Sequence, residues 1–279
     1  MAPTKEHHKL GEGGASDVIN GEIKRLKVLC LHGFRTSGLI LQRQFSKLGP
    51  SVLELLDMIY LDGPRPCGGP SMVEGYFPPP YYEWYLPNRD YTELVGLDSC
   101  LDFLCKYIEE HGPFDGFMGF SQGACICAAL VAMQQKGLAL TCHPLIKFVV
   151  IVAGGMFEEP NLKNRTYPAI VTCPSIHIIG AKDERNFRNE ALAKVFENPI
   201  IIRHEGNHTV PRLGHSIGCS KAQGADARSR NFAEALQAFN DLHAQLQASR
   251  MLNKMRQTRC MPLKPLRQYG GSHVQYIAA

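Results

Sequence analysis

The sequence lacks the features that mark secreted, membrane and zinc-binding proteins. Its N-terminal residues, MAPTKEHHKLGEGGASDVING, contain no apolar core of a signal peptide, and no apolar run is long enough to span a membrane. The ten cysteines form no C-x-x-C pair, so reduced thiols are expected rather than disulfides or a zinc site. We therefore expect a cytoplasmic protein with no structural metal.

A strong charge of one sign is also absent. The formal net charge is +4 over 279 residues, and only near the C-terminus do basic residues gather without an acidic one among them. They are Arg250, Lys254, Arg256, Arg259, Lys264 and Arg267. This stretch could contact an anionic surface, but a solvated tail is the simpler interpretation. We predict flexible segments over 1–25 and 248–279, and no nucleic-acid partner.

What the sequence does contain is a series of short apolar runs rich in β-branched residues, which predict buried strands. The runs are 27–31, 58–61, 116–119, 148–153, 175–179 and 200–202. Apolar residues at helical spacing predict helices over 94–110, 184–196 and 230–246. This alternation indicates an α/β fold, a doubly wound and mostly parallel sheet flanked by helices, in one domain over 26–247. Its functional residues are expected just after strands.

Residues 62–93 interrupt the alternation with many prolines and glycines and seven aromatic residues. Long irregular segments are usually functional or disordered, and this density of aromatics argues against disorder. We interpret the segment as a loop that packs over the site and supplies an apolar wall, with Tyr81, Tyr82 and Trp84 as pocket candidates. Filling a peripheral core is an equally good interpretation for any one of them.

The string Gly119-Phe120-Ser121-Gln122-Gly123 predicts a nucleophilic serine. It follows the predicted strand 116–119 and precedes a small-residue helix pattern over 124–133. A strand, a sharp turn and a helix expose such a serine at the top of the sheet, and glycines on both sides avoid collisions in the turn. The backbone N–H of Gln122, at the start of the helix, is predicted to stabilise an oxyanion.

A serine hydroxyl needs a base, and in this fold an acid and then a histidine follow the serine, each after a later strand. Asp183 follows the strand 175–179 and is the predicted acid. Glu184 is the competitor, but it would open the next helix, where the helix dipole alone favours an acid.

For the base, the sequence offers two histidines after the last predicted strand. His204 stands at the end of that strand and would point into the layer, whereas His208 follows a Gly-Asn turn that can return it over the sheet edge. We therefore predict His208 as the general base, oriented by the acid.

The loop after the first strand, Leu31-His-Gly-Phe-Arg-Thr-Ser-Gly38, is predicted to supply the second oxyanion donor, the backbone N–H of Phe34. A structural role of His32-Gly33 in shaping the turn is the alternative. A G-x-G-x-x-G string is missing at this point, which argues against nucleotide-dependent redox chemistry.

Taken together, these segments resemble the FSH family of small serine hydrolases, within the α/β-hydrolase superfamily, which includes ovarian-tumour-suppressor-like esterases and fungal polyketide-releasing thioesterases. The resemblance runs from about residue 26 to 214. It is carried by KVLCLHGFRTSG (27–38), DGP (62–64), PYYEWY (80–85), GFSQGA (119–124), AGGMF (153–157), PSIHIIGAKDE (174–184) and GNHTVPRL (206–213).

The resemblance implies a cofactor-free hydrolase with Ser121, Asp183 and His208 as its triad and the amides of Phe34 and Gln122 as oxyanion donors. It also implies small-molecule carboxylic ester or thioester substrates with an alkyl or acyl chain. The predicted reaction is acyl transfer to water through an acyl-enzyme. An acyltransferase with the same triad and a non-catalytic ligand-binding protein of the hydrolase fold are the alternatives.

Overall fold

The computed structural model describes residues 25–89, 92–212 and 241 of the chain. The chain divides into two compact units, Met1–Ala238 and Phe239–Ala279, and the fold below is that of the first unit. The predictions of a flexible N-terminal segment, a helix over 230–246 and a basic tail over 248–279 fall almost entirely outside the described residues.

Strands and helices alternate along the described chain. The strands are β1 (Leu26–Leu31), β2 (Leu56–Leu61), β3 (Arg65–Pro66), β4 (Tyr82–Glu83), β5 (Leu86–Pro87), β6 (Leu94–Val95), β7 (Gly116–Phe120), β8 (Phe148–Val152), β9 (Ser175–Gly180) and β10 (Ile200–His204). The helices are α1 (Gly38–Phe45), α2 (Pro50–Leu53), α3 (Leu97–His111), α4 (Gln122–Gln135), α5 (Pro160–Thr166) and α6 (Asn186–Ala193). A 3-10 turn, Ser46–Leu48, follows α1.

Six strands form one parallel sheet in the order β10-β9-β8-β7-β1-β2. Every residue of β7 and β8 is buried, which is the pattern of a parallel sheet covered on both faces. Helix α4 packs on β7 and β8, and its many small side chains allow a close approach. The predicted α/β fold is confirmed, and each of the six predicted strands is present.

Helix α3 begins later than its apolar spacing predicts. Leu94–Val95 is a short strand paired with Leu86–Pro87, and Gly96 follows it with φ +83° before the helix starts at Leu97. A positive φ is a conformation that glycine adopts without steric cost, so the hairpin ends there and the helix follows.

The irregular segment 62–93 is folded onto the domain wherever it is described. β3 pairs with β4, and Tyr82 bridges to Thr36 in the loop after β1. The next two residues, Glu83 and Trp84, are buried. These residues are therefore ordered, as the density of aromatic residues predicts. No helix among residues 25–89 and 92–212 is long and apolar enough to cross a membrane.

Candidate active site

Ser121 occupies a sharp turn between the end of β7 and the start of α4. Its backbone has φ +53° and ψ −116°, a strained conformation for a residue with a side chain. Hydrogen bonds on both sides fix the turn: Ser121 N–H donates to Val152 O at 2.9 Å, and Gly123 N–H donates to His32 O at 3.1 Å. The turn presents the serine hydroxyl at the carboxyl end of the central strand.

The two glycines of the motif are needed because the backbone is tightly packed. A Cβ on Gly119 would lie 2.5 Å from the backbone nitrogen of Ala124, and a Cβ on Gly123 would collide with the carbonyl groups of Leu31 and His32. Neither obstacle is a flexible side chain that could move aside. Both positions therefore require glycine for reasons of space, as the sequence predicts.

His208 connects the serine to the acid. Its Nε2 lies 2.8 Å from Ser121 Oγ, and its Nδ1 lies 2.8 Å from Asp183 Oδ2. A carboxylate can only accept, so Nδ1 carries the proton and Nε2 is free to accept the serine proton. The structure thus brings the three predicted side chains into one hydrogen-bonded chain in the required order.

Asp183 is a buried carboxylate with three donors. Its Oδ1 accepts from the N–H of Arg185 at 2.8 Å, and its Oδ2 accepts from Asn189 Nδ2 at 3.2 Å as well as from His208. Burial by itself raises the pKa of Asp183, but these hydrogen bonds outweigh it and hold the pKa below its ordinary value. The group is therefore ionised at neutral pH, as an acid that orients an imidazolium must be.

Glu184 and His204, the alternative candidates for the acid and the base, lie outside this chain of hydrogen bonds. Glu184 is exposed. His204 is buried at the end of β10, where its Nδ1 accepts from the N–H of Gly206 at 3.1 Å and burial lowers its pKa. His204 thus points into the layer and supports the turn that carries His208.

The loops that carry the acid and the base are joined by backbone hydrogen bonds. Ala181 N–H donates to His204 O at 2.7 Å, and Lys182 N–H donates to Gly206 O at 3.0 Å. These bonds continue the β9–β10 pairing past the ends of the strands. The separation of Asp183 and His208 is therefore set by the sheet itself.

Two backbone N–H groups beside the serine are available to a ligand. Among the described residues, neither Phe34 N–H nor Gln122 N–H has an acceptor. Gln122 is the first residue of α4, where backbone N–H groups have no partner within the helix and attract negative charge. Unpaired donors are what an oxyanion site requires.

The loop that holds Phe34 is built around a buried neutral histidine. His32 Nδ1–H donates to Gly33 O at 2.7 Å, and Nε2 accepts from Gly63 N–H at 2.9 Å. Burial lowers the pKa of His32 to about 4. Because the imidazole is neutral at neutral pH, it can donate on one side and accept on the other, and it joins the loop after β1 to the loop after β2.

Residues 82–85, here called the YEWY segment, also bind the loop after β1. Tyr82 N–H donates to Thr36 O at 2.6 Å, and the indole N–H of Trp84 donates to His32 O at 2.9 Å. Between them, Arg35 Nε forms a 2.7 Å ion pair with Glu83, whose side chain is 2% exposed. The backbone on both sides of Phe34 is thus fixed.

The same segment also binds the start of α4. Trp84 N–H donates to Gln122 Oε1 at 3.3 Å, and Gln122 Nε2 donates to Tyr85 O at 2.9 Å. The side chain of Gln122, the residue after Ser121, therefore contacts the same four-residue segment that holds the Phe34 loop. The YEWY segment joins the two candidate oxyanion donors to each other.

A cavity of about 570 Å³ opens beside Ser121 and His208. Its apolar lining includes Phe77, Tyr85, Leu94, Phe120, Met156 and Phe157. The AGGMF segment, which follows β8, supplies two of these residues. Both residues follow shortly after a strand, where functional residues are expected, and this position is the sequence signal for them.

The structure corrects the prediction that Trp84 lines the pocket. The Trp84 side chain is fully buried, and the centroid of its ring lies 4.8 Å from that of His32. Its indole N–H donates to the backbone carbonyl of His32. Along an extended backbone, neighbouring side chains point in opposite directions, and Tyr85 lines the cavity instead.

Tyr81 and Tyr82 also lie outside the cavity lining, which corrects the same prediction. The hydroxyl of Tyr81 donates to Phe77 O at 2.5 Å, and Tyr82 is held by its backbone bridge to Thr36. Of the neighbouring aromatics, Phe77 reaches the cavity. The segment 62–93 does supply an apolar wall, but from other residues than those predicted.

No group of three His, Cys, Asp or Glu side chains that could hold a metal ion occurs in the part of the chain that the structure describes.

The comparison with protein families decides the relationship. Residues 22–217, more than half of the chain, match the family model described as serine hydrolase (FSH1). The chain belongs to the FSH1 serine hydrolase family. The predicted resemblance is confirmed, and the chain is a serine esterase of this family.

Individual relatives agree. Esterase OVCA2 of Xenopus tropicalis is 30% identical over 205 residues, which cover 67% of this chain and 86% of that protein. A Schizosaccharomyces pombe protein named dihydrofolate reductase is 32% identical over 207 residues, 68% of this chain, but the chain spans only 44% of its length. The name of that longer protein is not transferred to this chain.

Among solved structures, acyl-protein thioesterase 2 of Zea mays superposes with a TM-score of 0.52 at 16% identity and covers 81% of this chain and 97% of that one. At this identity the likeness concerns the fold alone. It agrees with the six-stranded parallel sheet flanked by helices.

Proposed function

We propose that this FSH1-family esterase hydrolyses carboxylic esters and thioesters that carry an apolar acyl or alkyl group, through an acyl-enzyme on Ser121. The observation that carries the proposal is the unbroken chain from Ser121 Oγ through His208 to Asp183, with both distances at 2.8 Å, beside a largely apolar cavity.

In the first step, His208 Nε2 takes the proton of Ser121 while Oγ attacks the carbonyl carbon of the substrate. The carboxylate of Asp183 stabilises the imidazolium that forms. Negative charge on the carbonyl oxygen is stabilised by the N–H groups of Phe34 and Gln122, which have no competing acceptor among the described residues.

His208 then gives its proton to the leaving alcohol or thiol, and the acyl group stays on Ser121. In the second step, His208 deprotonates a water molecule, which attacks the acyl-enzyme, and the serine is regenerated with release of the acid. Protons and electron pairs balance among the triad, the substrate and water, so the proposed reaction uses no cofactor.

The cavity supports an apolar acyl group. Tyr85, Leu94, Met156 and Phe157 offer apolar surface beside the nucleophile. Each methylene that leaves water for such a surface contributes about 0.8 kcal/mol, which corresponds to roughly a fourfold gain in kcat/KM per carbon until the cavity is filled.

A series of p-nitrophenyl esters from acetate to laurate, assayed with the wild type and with Ser121→Ala, tests the proposal. We expect kcat/KM to rise with chain length and the activity to be lost in Ser121→Ala. Ser99→Ala, at an exposed position of α3, is the matched control and should keep full activity. A profile that is flat or falls with length would contradict the apolar acyl site, and activity in Ser121→Ala would contradict the nucleophile.

A further inference from the structure

The cavity lining contains more positively than negatively charged side chains. Among the described residues, three cations and one carboxylate contribute to the lining: Lys47, Arg185, Arg188 and Glu158. A neutral hydrocarbon chain offers these cations no partner, whereas an anionic group on a ligand does.

One cation is already compensated within the protein. Arg188 Nε lies 2.8 Å from Glu158 Oε1, and Arg188 Nη2 reaches Met156 O at 3.5 Å. The Arg188 side chain is 15% exposed and that of Glu158 is 46% exposed, so the pair stays in contact with solvent on the carboxylate side. Its charges offset each other, and the net positive charge of the lining rests on the other two cations.

Arg185 and Lys47 have no carboxylate partner among the described residues. Arg185 is exposed and Lys47 is half-buried, which puts both within reach of solvent and ligand. A concave site lined by two unpaired cations concentrates their positive electrostatic potential, and this potential attracts anions. The anion that they attract has to come with the substrate or from the solution.

The position of Arg185 indicates which part of the substrate is charged. Its backbone N–H donates to Asp183 Oδ1, and Asp183 in turn holds His208. His208 has to protonate the leaving atom, so the leaving group passes on the histidine side of Ser121. Arg185 is anchored on that side, whereas the apolar lining accepts the acyl chain.

We propose that the esterase prefers substrates whose leaving group carries an anion, a carboxylate or a phosphate, attached through an ester or thioester to an apolar acyl chain. This proposal rests on the proposed function and names its substrate class. Arg185 and Lys47 bind the anion, and the acyl chain enters the apolar part of the cavity.

Matched thioesters test the proposal. The octanoyl thioester of 3-mercaptopropionate carries a carboxylate on its leaving group, and the octanoyl thioester of methyl 3-mercaptopropionate is its neutral counterpart. The octanoyl thioester of 2-mercaptoethyl phosphate is the phosphate arm. We expect the wild type to prefer the anionic substrates by roughly tenfold in kcat/KM at low ionic strength, because each of the two exposed ion pairs should contribute about threefold. Salt at about 0.5 M should reduce the preference strongly.

Variants locate the effect. Arg185→Gln and Lys47→Gln should each lower the anionic-to-neutral ratio of kcat/KM by about threefold. Lys163→Gln removes a positive charge from α5, outside the cavity lining, and should leave the ratio at the wild-type value. The anionic-to-neutral ratio is measured for the carboxylate and for the phosphate substrate, and the larger of the two ratios identifies the preferred anion.

The proposal is overturned if the wild type hydrolyses the neutral thioester as fast as the anionic ones, or if the ratio survives Arg185→Gln. A preference for p-nitrophenyl esters with a carboxylate at the far end of the acyl chain, rather than on the leaving group, overturns it as well. Each of these results leaves Ser121-dependent hydrolysis intact. Loss of all hydrolysis in the wild type would instead refute the proposed function.

Discussion

Replacing the Asp183 carboxylate by the amide of asparagine changes one acceptor oxygen into an N–H donor of nearly the same size. In the structure both oxygens are occupied: Oδ1 accepts from Arg185 N–H, and Oδ2 accepts from His208 and Asn189. Whichever way the amide is turned, its NH₂ group therefore faces at least one donor. Asp183→Asn thus changes which atoms donate and which accept in the chain of hydrogen bonds, and it leaves the positions of those atoms unchanged.

The consequence for catalysis follows from the orientation that keeps Arg185 N–H paired. The amide NH₂ then faces His208 Nδ1, which has to accept, so the proton moves to Nε2. An imidazole with its proton on Nε2 cannot take the proton of Ser121. We expect kcat to fall by about 10³ to 10⁴, which corresponds to roughly 4 to 5.5 kcal/mol of transition-state stabilisation.

The assay is hydrolysis of p-nitrophenyl octanoate at pH 7.5, with thermal unfolding as a check that the variant is folded. Glu184→Gln is the matched control, because it removes the neighbouring, exposed carboxylate and should keep kcat within about twofold. A folded Asp183→Asn variant with kcat within tenfold of the wild type would refute the reasoning, as would a larger loss in Glu184→Gln.

Two further predictions concern the frame of the site. Glu83→Gln leaves Arg35 without its buried partner and loosens the loop of Phe34, so kcat should fall about tenfold with little change in KM, a smaller loss than removal of an oxyanion donor causes. Glu93→Gln, an exposed carboxylate outside the YEWY segment, is its control, and equal effects of the two variants would contradict the role of the YEWY segment. Burial lowers the pKa of His177 to about 4, so the folded protein binds no proton there while the unfolded chain does below about pH 6.5. Stability should therefore fall between about pH 6.5 and pH 4, by up to about 3 kcal/mol from this residue, and urea unfolding of His177→Gln should show a weaker loss between pH 7 and pH 5. An identical pH dependence in the variant would contradict this account.

The arrangement of Ser121, Asp183 and His208 could be predicted from the sequence because each of them follows a strand that periodicity identifies. Ser121 lies in a turn whose glycines are required by nearby backbone atoms, and Asp183 and His208 follow adjacent strands of the sheet. The choice of His208 over His204 also followed from strand geometry. These are local signals, and the parallel sheet converts them into proximity.

The pocket could not be predicted in the same way. The direction of Trp84 depends on the carbonyl of His32, 52 residues earlier, which accepts its indole N–H. Lys47 and Arg185 reach one cavity from segments far apart in the chain. No periodicity relates such residues, because their side chains meet only through the path of irregular backbone.

The start of α3 shows the same limit on a smaller scale. Leu94 fits the helical spacing, yet it pairs with Pro87 in a short hairpin because Gly96 takes a positive φ before the helix. Apolar spacing identifies the face of a helix better than its first residue.

Covalent labelling shows which residue of the esterase reacts as the nucleophile, which we propose is Ser121. The wild type is incubated with a fluorophosphonate probe, its intact mass is measured, and the labelled peptide is sequenced. The account predicts a single adduct on Ser121, and no adduct in folded Ser121→Ala. An unlabelled wild type, an adduct on another residue, or undiminished labelling of Ser121→Ala would contradict it.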